Sequence, residues 1–239
     1  MSNKIPLLLL PGLMCDHTVW GAQIAALSDI ADGRSMEWGM EHTSLTKMAE
    51  ATLASAPPKF ALAGHSMGGR VVFEVYRLAP ERVTHLSVMN TGIAPLAAGD
   101  AGKEEEKGRR FLLDIAFKEG IRAMAKEWLK GMIPAYRQND QPLVEAIIEM
   151  FERKTPEQFL VQQEALLARP DARPVLAQVQ CPTLVLTGKD DIWSPPIRHE
   201  EIAAGIAGAT LALIPECGHM STMERPEAVS AAMRSWLLR

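Results

Sequence analysis

Ser66 lies in the stretch GHSMGG (64–69), with a glycine two positions to either side. A serine hydroxyl is a weak nucleophile until a base takes its proton, and an imidazole serves as that base when a carboxylate orients it. Later segments supply both groups, with Asp190 and Asp191 in TGKDDIWSP and His219 in ECGHMS. The order serine, aspartate, histidine predicts covalent catalysis at an acyl carbon.

These residues need elements that bring them together, and apolar runs predict such elements. Continuous apolar runs indicate strands buried on both faces, as in a parallel sheet. They are IPLLLL (5–10), FALAG (60–64), THLSVMN (84–90), PTLVLTG (182–188) and ATLALIPE (209–216), with GRSMEWG (33–39) as a candidate short strand. Helical spacing of apolar residues marks 18–29, 44–58, 68–82, 195–208 and 225–239. We therefore predict an α/β fold with a mostly parallel sheet of about six strands and helices on both faces.

The predicted sheet places the reactive residues at one edge. Ser66 falls between a strand and a helix, and Gly64 and Gly68 leave the space that a tight turn at this point requires. Asp191 and His219 each follow a strand as well. Ligands of open α/β sheets bind beyond the carboxyl ends of the strands, so we expect the three side chains to converge there.

The alternation of strands and helices stops between residues 93 and 174. Three helical segments follow one another there, at 111–133, 142–153 and 156–169, and the charged stretch 103–110 is a loop or a helix start with a solvated face. We predict a core of residues 1–92 and 175–239 and an inserted helical cap of residues 93–174, which acts as a lid.

Four side chains near the predicted site are candidates for substrate binding. Trp128, Met132 and Tyr136 belong to the predicted cap, and Trp193 follows Asp191 by two positions. Apolar and aromatic side chains of this kind form the walls of small-molecule pockets. Packing of the helices on one another explains each of them equally well.

Composition and missing motifs narrow the class of protein. The 239 residues carry a formal net charge of −4, which gives no reason to expect nucleic acid or an anionic membrane as partner. There is no run long enough for a membrane span, no signal-peptide pattern, no metal-ligand motif and no G-x-G-x-x-G. The three cysteines form no C-x-x-C pair. We expect a cytoplasmic protein without metal or cofactor; the oligomeric state stays open.

Taken together, these features resemble the α/β-hydrolase superfamily over nearly the whole chain. They comprise the Pro-Gly turn after the first strand, GHSMGG, a G-x-x-D-x-x-x-P turn, the Gly-His near the C-terminus, and the order Ser, Asp, His. The turn pattern falls on Gly188, Asp191 and Pro195, which makes Asp191 the orienting carboxylate and Asp190 the alternative. His219 is then the base, in preference to His65 beside the nucleophile.

The resemblance also implies an oxyanion hole made of two backbone N–H groups. One belongs to Met67, the residue after the nucleophile, and the other to Leu13 in the loop after the first strand. Many members of the superfamily have His-Gly in that loop, whereas this chain has Pro11-Gly12. Met14 is the alternative donor.

The activity implied is that of a carboxylesterase-like serine hydrolase acting on a small ester-like molecule. A lactonase, a C–C bond hydrolase, or a cofactor-free perhydrolase or haloperoxidase-like enzyme would use the same triad. A non-catalytic receptor for small molecules is an alternative of a different class. The sequence leaves the substrate and the size of its acyl group open.

Overall fold

A six-stranded parallel sheet forms the centre of the protein in a computed structural model, which describes residues 4–239. Residues 1–3, the first three of the predicted core, lie outside the described part. The strands are β1 (Ile5–Leu10), β2 (Ala31–Ser35), β3 (Phe60–His65), β4 (Val83–Met89), β5 (Thr183–Gly188) and β6 (Thr210–Ile214). Their order in the sheet is β2-β1-β3-β4-β5-β6, and every neighbouring pair is parallel. The predicted fold class is confirmed.

Helices connect the strands. They are α1 (Gly21–Ala26), α2 (Leu45–Ser55), α3 (Met67–Leu78), α4 (Asp100–Glu119), α5 (Ile121–Met132), α6 (Gln141–Glu152), α7 (Pro156–Leu167), α8 (Arg173–Leu176), α9 (Pro196–Gly205), α10 (Ser221–Glu224) and α11 (Pro226–Leu237). None of the helices within residues 4–239 is long and apolar enough to cross a membrane.

The burial of the strands follows their position in the sheet. All six residues of β3 and all six of β5 are buried, because neighbours flank these strands on both sides and helices cover both faces. The edge strands β2 and β6 are partly exposed. The second strand begins at Ala31, two residues before the predicted run, and pairs with β1 from Ile5 onward.

Two helices differ from the sequence-based expectation at their ends. The predicted helix 18–29 is a 3-10 turn over His17–Trp20 followed by the short α1. The predicted helix 68–82 ends earlier, at Leu78, and a separate 3-10 turn covers Pro80–Arg82. Proline at position 80 accounts for the second break, since it disfavours helical geometry at the residue before it.

Residues 93–174, called here the helical segment, contain helices α4 to α7 and no strand within the described chain. The expected helix at 111–133 is divided at Gly120, whose φ of 92° interrupts helical geometry. The charged stretch 103–110 is part of α4 rather than a loop. Ion pairs four residues apart, Glu105 with Arg109 and Glu106 with Arg110, stabilise this polar helix.

A buried carboxylate joins the helical segment to the loop after β1. Arg153, at the end of α6, donates from Nε to Asp16 Oδ2 at 2.6 Å and from Nη2 to Thr18 Oγ1 at 2.7 Å. Burial by itself would raise the pKa of the Asp16 carboxyl, but hydrogen bonds from Arg153 and Thr18 outweigh burial and lower the pKa to about 2.

Asp16→Asn should lower the free energy of unfolding near pH 7 by about 1.5–3 kcal/mol, the usual value of a hydrogen bond to a charged group. Folding lowers the pKa of Asp16 from 3.8 to about 2, so its stabilisation is full above pH 3.8 and is lost as the pH falls towards 2. Urea denaturation near pH 7 and near pH 3 should show the difference between wild type and variant shrinking at the lower pH.

The exposed pair Asp171–Arg173 provides the control for this experiment. Asp171→Asn should change the free energy of unfolding by less than about 0.5 kcal/mol at either pH, since surface ion pairs contribute little. If Asp16→Asn destabilised the protein equally at both pH values, the ionised carboxylate would not be the source of the stabilisation.

Candidate active site

Ser66 lies in a strained turn between β3 and α3. Its backbone has φ 53° and ψ −114°, outside the regions that a residue with a side chain prefers. A Cβ on Gly64 would lie 2.3 Å from Gly68 O, and one on Gly68 would lie 2.2 Å from Leu10 O. Only glycine fits at these two positions. The turn therefore presents the hydroxyl above the sheet, at the N-terminus of α3.

His219 connects Ser66 to a carboxylate. Its Nε2 lies 2.8 Å from Ser66 Oγ, and its Nδ1 lies 2.9 Å from Asp191 Oδ2. All three residues come from loops at the carboxyl ends of β3, β5 and β6. This geometry lets Nδ1–H donate to the carboxylate while Nε2 accepts the serine proton.

Asp191 is buried, and each of its two carboxylate oxygens accepts two hydrogen bonds. Oδ1 accepts from the backbone N–H groups of Trp193 (3.0 Å) and Ser194 (2.9 Å). Oδ2 accepts from His219 and, at 2.9 Å, from Asn90 Nδ2. Burial would raise the pKa of Asp191, but the attraction and hydrogen bond of His219, with those of Asn90 and Ser194, hold the pKa well below its usual range. The carboxylate is therefore ionised at neutral pH.

Asp190 and Tyr136 lie apart from this site. Asp190 Oδ2 accepts a hydrogen bond from the Tyr136 hydroxyl at 2.6 Å, and the Tyr136 side chain is exposed. The interpretation of Tyr136 as a pocket residue needs correction, because α5 ends at Met132 and a 3-10 turn then carries Tyr136 to the surface. Of the two aspartates, Asp191 is the one that hydrogen-bonds to His219.

Asn90, the residue directly after β4, supports Asp191. Its buried amide donates from Nδ2 to Asp191 Oδ2 and to Gly218 O (3.1 Å), and its Oδ1 accepts from Ser221 Oγ at 2.5 Å. Asn90 thus fixes the carboxylate relative to the loop that carries His219. A polar residue directly after a buried strand was the available signal.

Glu224 holds the His219 loop from the other side. Its buried carboxyl accepts hydrogen bonds from the backbone N–H groups of Gly218 (3.0 and 3.1 Å) and Met220 (3.0 Å), the neighbours of His219. Burial raises the pKa of Glu224, although these two hydrogen bonds act in the opposite direction. The backbone N–H of His219 itself donates to Met132 O at 2.9 Å. The histidine backbone is therefore fixed at three consecutive residues.

His65, which precedes Ser66, hydrogen-bonds to the backbone of the His219 loop. Its Nε2 lies 2.8 Å from His219 O, and its Nδ1 would be 2.8 Å from a Cβ on Gly12. Burial, followed by the proximity of His219, lowers the pKa of His65 to about 3, so the ring is neutral at physiological pH. The sequence interpretation that His219 is the base is consistent with this arrangement.

The two predicted oxyanion donors border the same cleft as Ser66. Met67 is the first residue of α3, so its N–H has no partner within the helix. Leu13 follows Gly12 in the loop after β1 and also lines the cleft. The alternative donor, Met14, is occupied, because its N–H donates to Gln162 Oε1 of α7 at 2.9 Å.

The cleft above Ser66 has a volume of about 540 Å³, within the usual range for small-molecule sites. Trp128, Met132 and Trp193, three of the four candidates for substrate binding, line it. The indole of Trp193 stacks on Trp128 with centroids 5.7 Å apart and meets the His219 ring edge-on at 5.1 Å. These rings form an apolar wall beside the histidine. Four arginines also line the cleft, and the sequence analysis did not identify them.

The cysteines do not provide a second nucleophile. Cys15 and Cys217 are buried, and burial raises the pKa of both thiols far above their usual range. Burial likewise raises the pKa of Cys181, to about 11. Thiols in this condition stay protonated and unreactive. Across residues 4–239, no group of three or more His, Cys, Asp or Glu side chains is arranged to hold a metal ion.

Comparison with known proteins shows that this chain is similar to hydrolases. A 2-hydroxy-6-oxononadienedioate/2-hydroxy-6-oxononatrienedioate hydrolase of Klebsiella pneumoniae is 28% identical over 188 residues, which cover 76% of this chain. The match spans 63% of the length of that relative. A thermophilic esterase from Thermogutta terrifontis, solved with malate bound, superposes with a TM-score of 0.85 at 28% identity, covering 100% of this chain and 91% of the esterase.

A third similar structure extends the comparison of folds. The enol-lactonase from Burkholderia xenovorans LB400 superposes with a TM-score of 0.84, covering 99% of this chain and 92% of its own. At 22% identity this likeness concerns the fold. The model of the alpha/beta hydrolase family matches residues 7–232, nearly the full length of the chain. The chain belongs to the alpha/beta hydrolase family.

Proposed function

We propose that the protein is a serine hydrolase that cleaves a carboxylic ester-like bond of a small substrate. The observation that carries this proposal is the chain of hydrogen bonds from Ser66 Oγ through His219 to Asp191, which opens into the cleft. Hydrolases among the similar proteins support it. The three free cysteines agree with the reducing environment of the cytoplasm, where we place the reaction.

The reaction proceeds in two halves. Ser66 Oγ attacks the acyl carbon while His219 Nε2 takes its proton, and Asp191 stabilises the imidazolium that forms. The imidazolium then gives the proton to the leaving alkoxide, which departs as an alcohol and leaves the acyl group on Ser66. A water molecule repeats the sequence: His219 takes its proton, the hydroxide attacks the ester, and Ser66 recovers a proton as the carboxylic acid leaves.

Negative charge develops on the acyl oxygen in both halves. We assign the stabilising donors to the backbone N–H groups of Leu13 and Met67, which line the cleft together with Ser66. The positive end of the α3 dipole acts at the same place. His65 packs against Gly12 and fixes the loop in which Pro11 replaces the histidine of many superfamily members.

We also propose that the helical segment acts as a cap over the site. Three hydrogen bonds join it to the reactive loops: Met132 O accepts from His219 N, Gln162 accepts from Met14 N, and Arg137 donates to Glu224 O at 3.1 Å. Trp128 and Met132 contribute apolar wall from the same segment. The cap thereby excludes water and sets the size of acyl group accepted.

Hydrolysis of a C–C bond is a second candidate activity. It rests on the 28% identity to the Klebsiella relative, whose name describes such a dioate hydrolase. Ser66 and His219 would serve as nucleophile and base for an ester, a lactone or a C–C substrate. The triad by itself therefore does not discriminate among these three classes. Parallel assays of an ester, a lactone and a vinylogous 1,5-diketone rank the three by kcat/KM.

Covalent labelling tests the nucleophile. A fluorophosphonate should modify wild-type protein on Ser66, to about one label per chain, because the His219-activated hydroxyl attacks phosphorus. Intact-mass and peptide mass spectrometry should locate the adduct. Ser235→Ala, at an exposed serine whose hydroxyl donates to Ala231 O of its own helix, should label normally, whereas Ser66→Ala should not label.

Absence of labelling in the wild type would contradict the proposal and favour a receptor that has kept the pocket without its chemistry. Labelling that persisted in Ser66→Ala would place the nucleophile elsewhere in the chain.

A further inference from the structure

Four arginines, called here the arginine cluster, line the cleft that contains Ser66: Arg70, Arg109, Arg169 and Arg198. Hydrolysis by the triad makes no use of them. Of the four side chains Arg198 alone is exposed, and removing the other guanidinium groups from water is costly unless they are paired. Their partners therefore indicate what the cleft is built to hold.

Two members of the cluster are paired with a carboxylate of the protein. Arg169 donates from Nη1 and Nη2 to the two oxygens of Glu105, at 2.7 and 2.8 Å. Arg109 donates to the same carboxylate at 2.8 and 3.0 Å and to Gln163 Oε1 at 2.6 Å. One carboxylate thus serves two guanidinium groups.

The other two members have only carbonyl partners. Arg70 donates from Nη1 to Ala94 O at 2.9 Å, and Arg198 donates from Nη1 to Trp193 O at 3.0 Å. Within residues 4–239, no carboxylate lies within 4 Å of either guanidinium. Their remaining N–H groups are available to a ligand in the cleft.

Arg70 and Arg198 converge on the same point, beside Gly92. A Cβ on Gly92 would lie 3.1 Å from Arg70 Nη2 and 3.9 Å from Arg198 Nη1. Because residue 92 has no side chain, the space in front of the two guanidinium groups stays open. Gly92 itself borders the cleft.

The charge of the cleft lining is opposite to that of the whole protein. Four arginines face two glutamates, Glu104 and Glu105, which gives the lining a net charge of +2 with neutral histidines, whereas the chain carries −4. Burial and then the positive charge of Arg169 lower the pKa of Arg70 to about 9, so it is charged at neutral pH but held among like charges. A bound anion would relieve this repulsion.

The two arginines share their cleft with Ser66, since all three residues line it. Arg70 lies in the first turn of α3, and its backbone N–H donates to the backbone carbonyl of Ser66 at 3.4 Å. Thr91, the neighbour of Gly92, donates from Oγ1 to the same carbonyl at 2.7 Å. Because Ser66 and both arginines line one cleft of about 540 Å³, a substrate whose acyl carbon reaches Ser66 can place a second group between Arg70 and Arg198.

We propose that Arg70 and Arg198 form a subsite for a carboxylate of the substrate, so that the enzyme hydrolyses esters carrying a free acid group. This inference rests on the proposed hydrolase function and specifies its substrate class. The planar guanidinium matches a carboxylate with two parallel hydrogen bonds. The pairing of Arg169 with Glu105 in the same cleft shows this geometry.

The test compares two esters that differ in one charge: mono-p-nitrophenyl glutarate and its methyl ester, p-nitrophenyl methyl glutarate. Wild-type protein should prefer the acid by at least about ten-fold in kcat/KM, as expected for charge-assisted hydrogen bonds. In Arg70→Gln and Arg198→Gln the ratio of acid to neutral kcat/KM should fall towards one, and Arg70→Lys should restore part of it. Arg34→Gln, an exposed arginine of β2, should leave the ratio unchanged.

A binding measurement separates this inference from the hydrolase proposal. Calorimetry with Ser66→Ala and glutarate should show binding that Arg70→Gln weakens at least about ten-fold. Inorganic phosphate, titrated in parallel, should bind more weakly; tighter binding of phosphate would overturn the assignment to carboxylate.

The outcomes are distinct. Hydrolysis of the neutral ester that depends on Ser66, with no preference for the acid and no glutarate binding, would overturn the subsite and leave the hydrolase proposal standing. Glutarate binding that depends on Arg70, with neither ester hydrolysed, would support the subsite and contradict the hydrolase proposal. An acid preference that survives both glutamine substitutions would place the recognition elsewhere.

Discussion

Ser66→Ala is expected to lower kcat for p-nitrophenyl esters by roughly four to six orders of magnitude, to the level that binding and oxyanion stabilisation alone provide. The loss is large because, among residues 4–239, Ser66 supplies the one side-chain hydroxyl that hydrogen-bonds to His219 Nε2. Steady-state kinetics at saturating ester measures the effect on kcat separately from KM.

The alanine variant should remain folded. Ser66 keeps its backbone hydrogen bonds, from its N–H to Met89 O at 2.8 Å and from Thr91 Oγ1 to its carbonyl at 2.7 Å. Its unfolding midpoint in urea should match that of wild type. Ser235→Ala should retain full activity. If Ser66→Ala kept more than about one hundredth of wild-type kcat, covalent catalysis by Ser66 would be excluded.

Asp191→Asn is expected to lower kcat by about four orders of magnitude, although asparagine and aspartate side chains have nearly the same shape. Every lone-pair direction of Asp191 is occupied by a donor: Trp193 and Ser194 N–H at Oδ1, His219 and Asn90 at Oδ2. An asparagine NH₂ group therefore faces a donor in either orientation. When the NH₂ group faces His219, it donates to Nδ1, so the imidazole carries its proton on Nε2. A protonated Nε2 cannot accept the proton of Ser66.

Asp190→Asn is the matched control, since it makes the same chemical change one residue earlier. Asp190 is exposed and contacts the Tyr136 hydroxyl rather than the histidine, so kcat should change less than about three-fold. Kinetics of both variants with one ester, together with their urea unfolding curves, compares the two directly. A larger loss in Asp190→Asn than in Asp191→Asn would reverse the assignment of the orienting carboxylate.

The parts of the fold with strong local signals could be predicted from the sequence. Apolar runs at 5–10, 60–64, 84–90 and 182–188 predict the four central strands because both faces of those strands are buried. Edge strand β2 is half-exposed, so its sequence ADGRS contains no continuous apolar run. The strand predicted at 33–39 therefore begins two residues later than β2 does. Gly120 could have been recognised as a break only by its positive φ, which spacing does not reveal.

The candidate site divides in the same way. Ser66, Asp191 and His219 were selected from their position after strands, and the structure brings their side chains within hydrogen-bond distance; their catalytic role stays a prediction that the variants above test. Asn90 and Glu224 support them through contacts between residues far apart in sequence, which no local pattern encodes.

The walls of the cleft were harder to predict than its reactive end. Trp128 and Met132 line it because α5 turns that face inward, while Tyr136 lies four residues beyond Met132 at the surface. Helical periodicity does not extend across the turn at Pro134. Arg70 and Arg198 belong to helices α3 and α9, so only tertiary structure places their guanidinium groups side by side.

The hydrogen bond from Met14 N–H to Gln162 has a consequence for how this enzyme can diverge. It ties α7, which belongs to the proposed cap, to the residue next to Leu13, whose N–H we assign to oxyanion stabilisation. A shift of α7 that widens the cleft for a larger acyl group also displaces that donor. Substitutions in α7 are therefore expected to change substrate selectivity and kcat together. Variants selected for new substrates through α7 should have a lower kcat unless the loop after β1 changes as well.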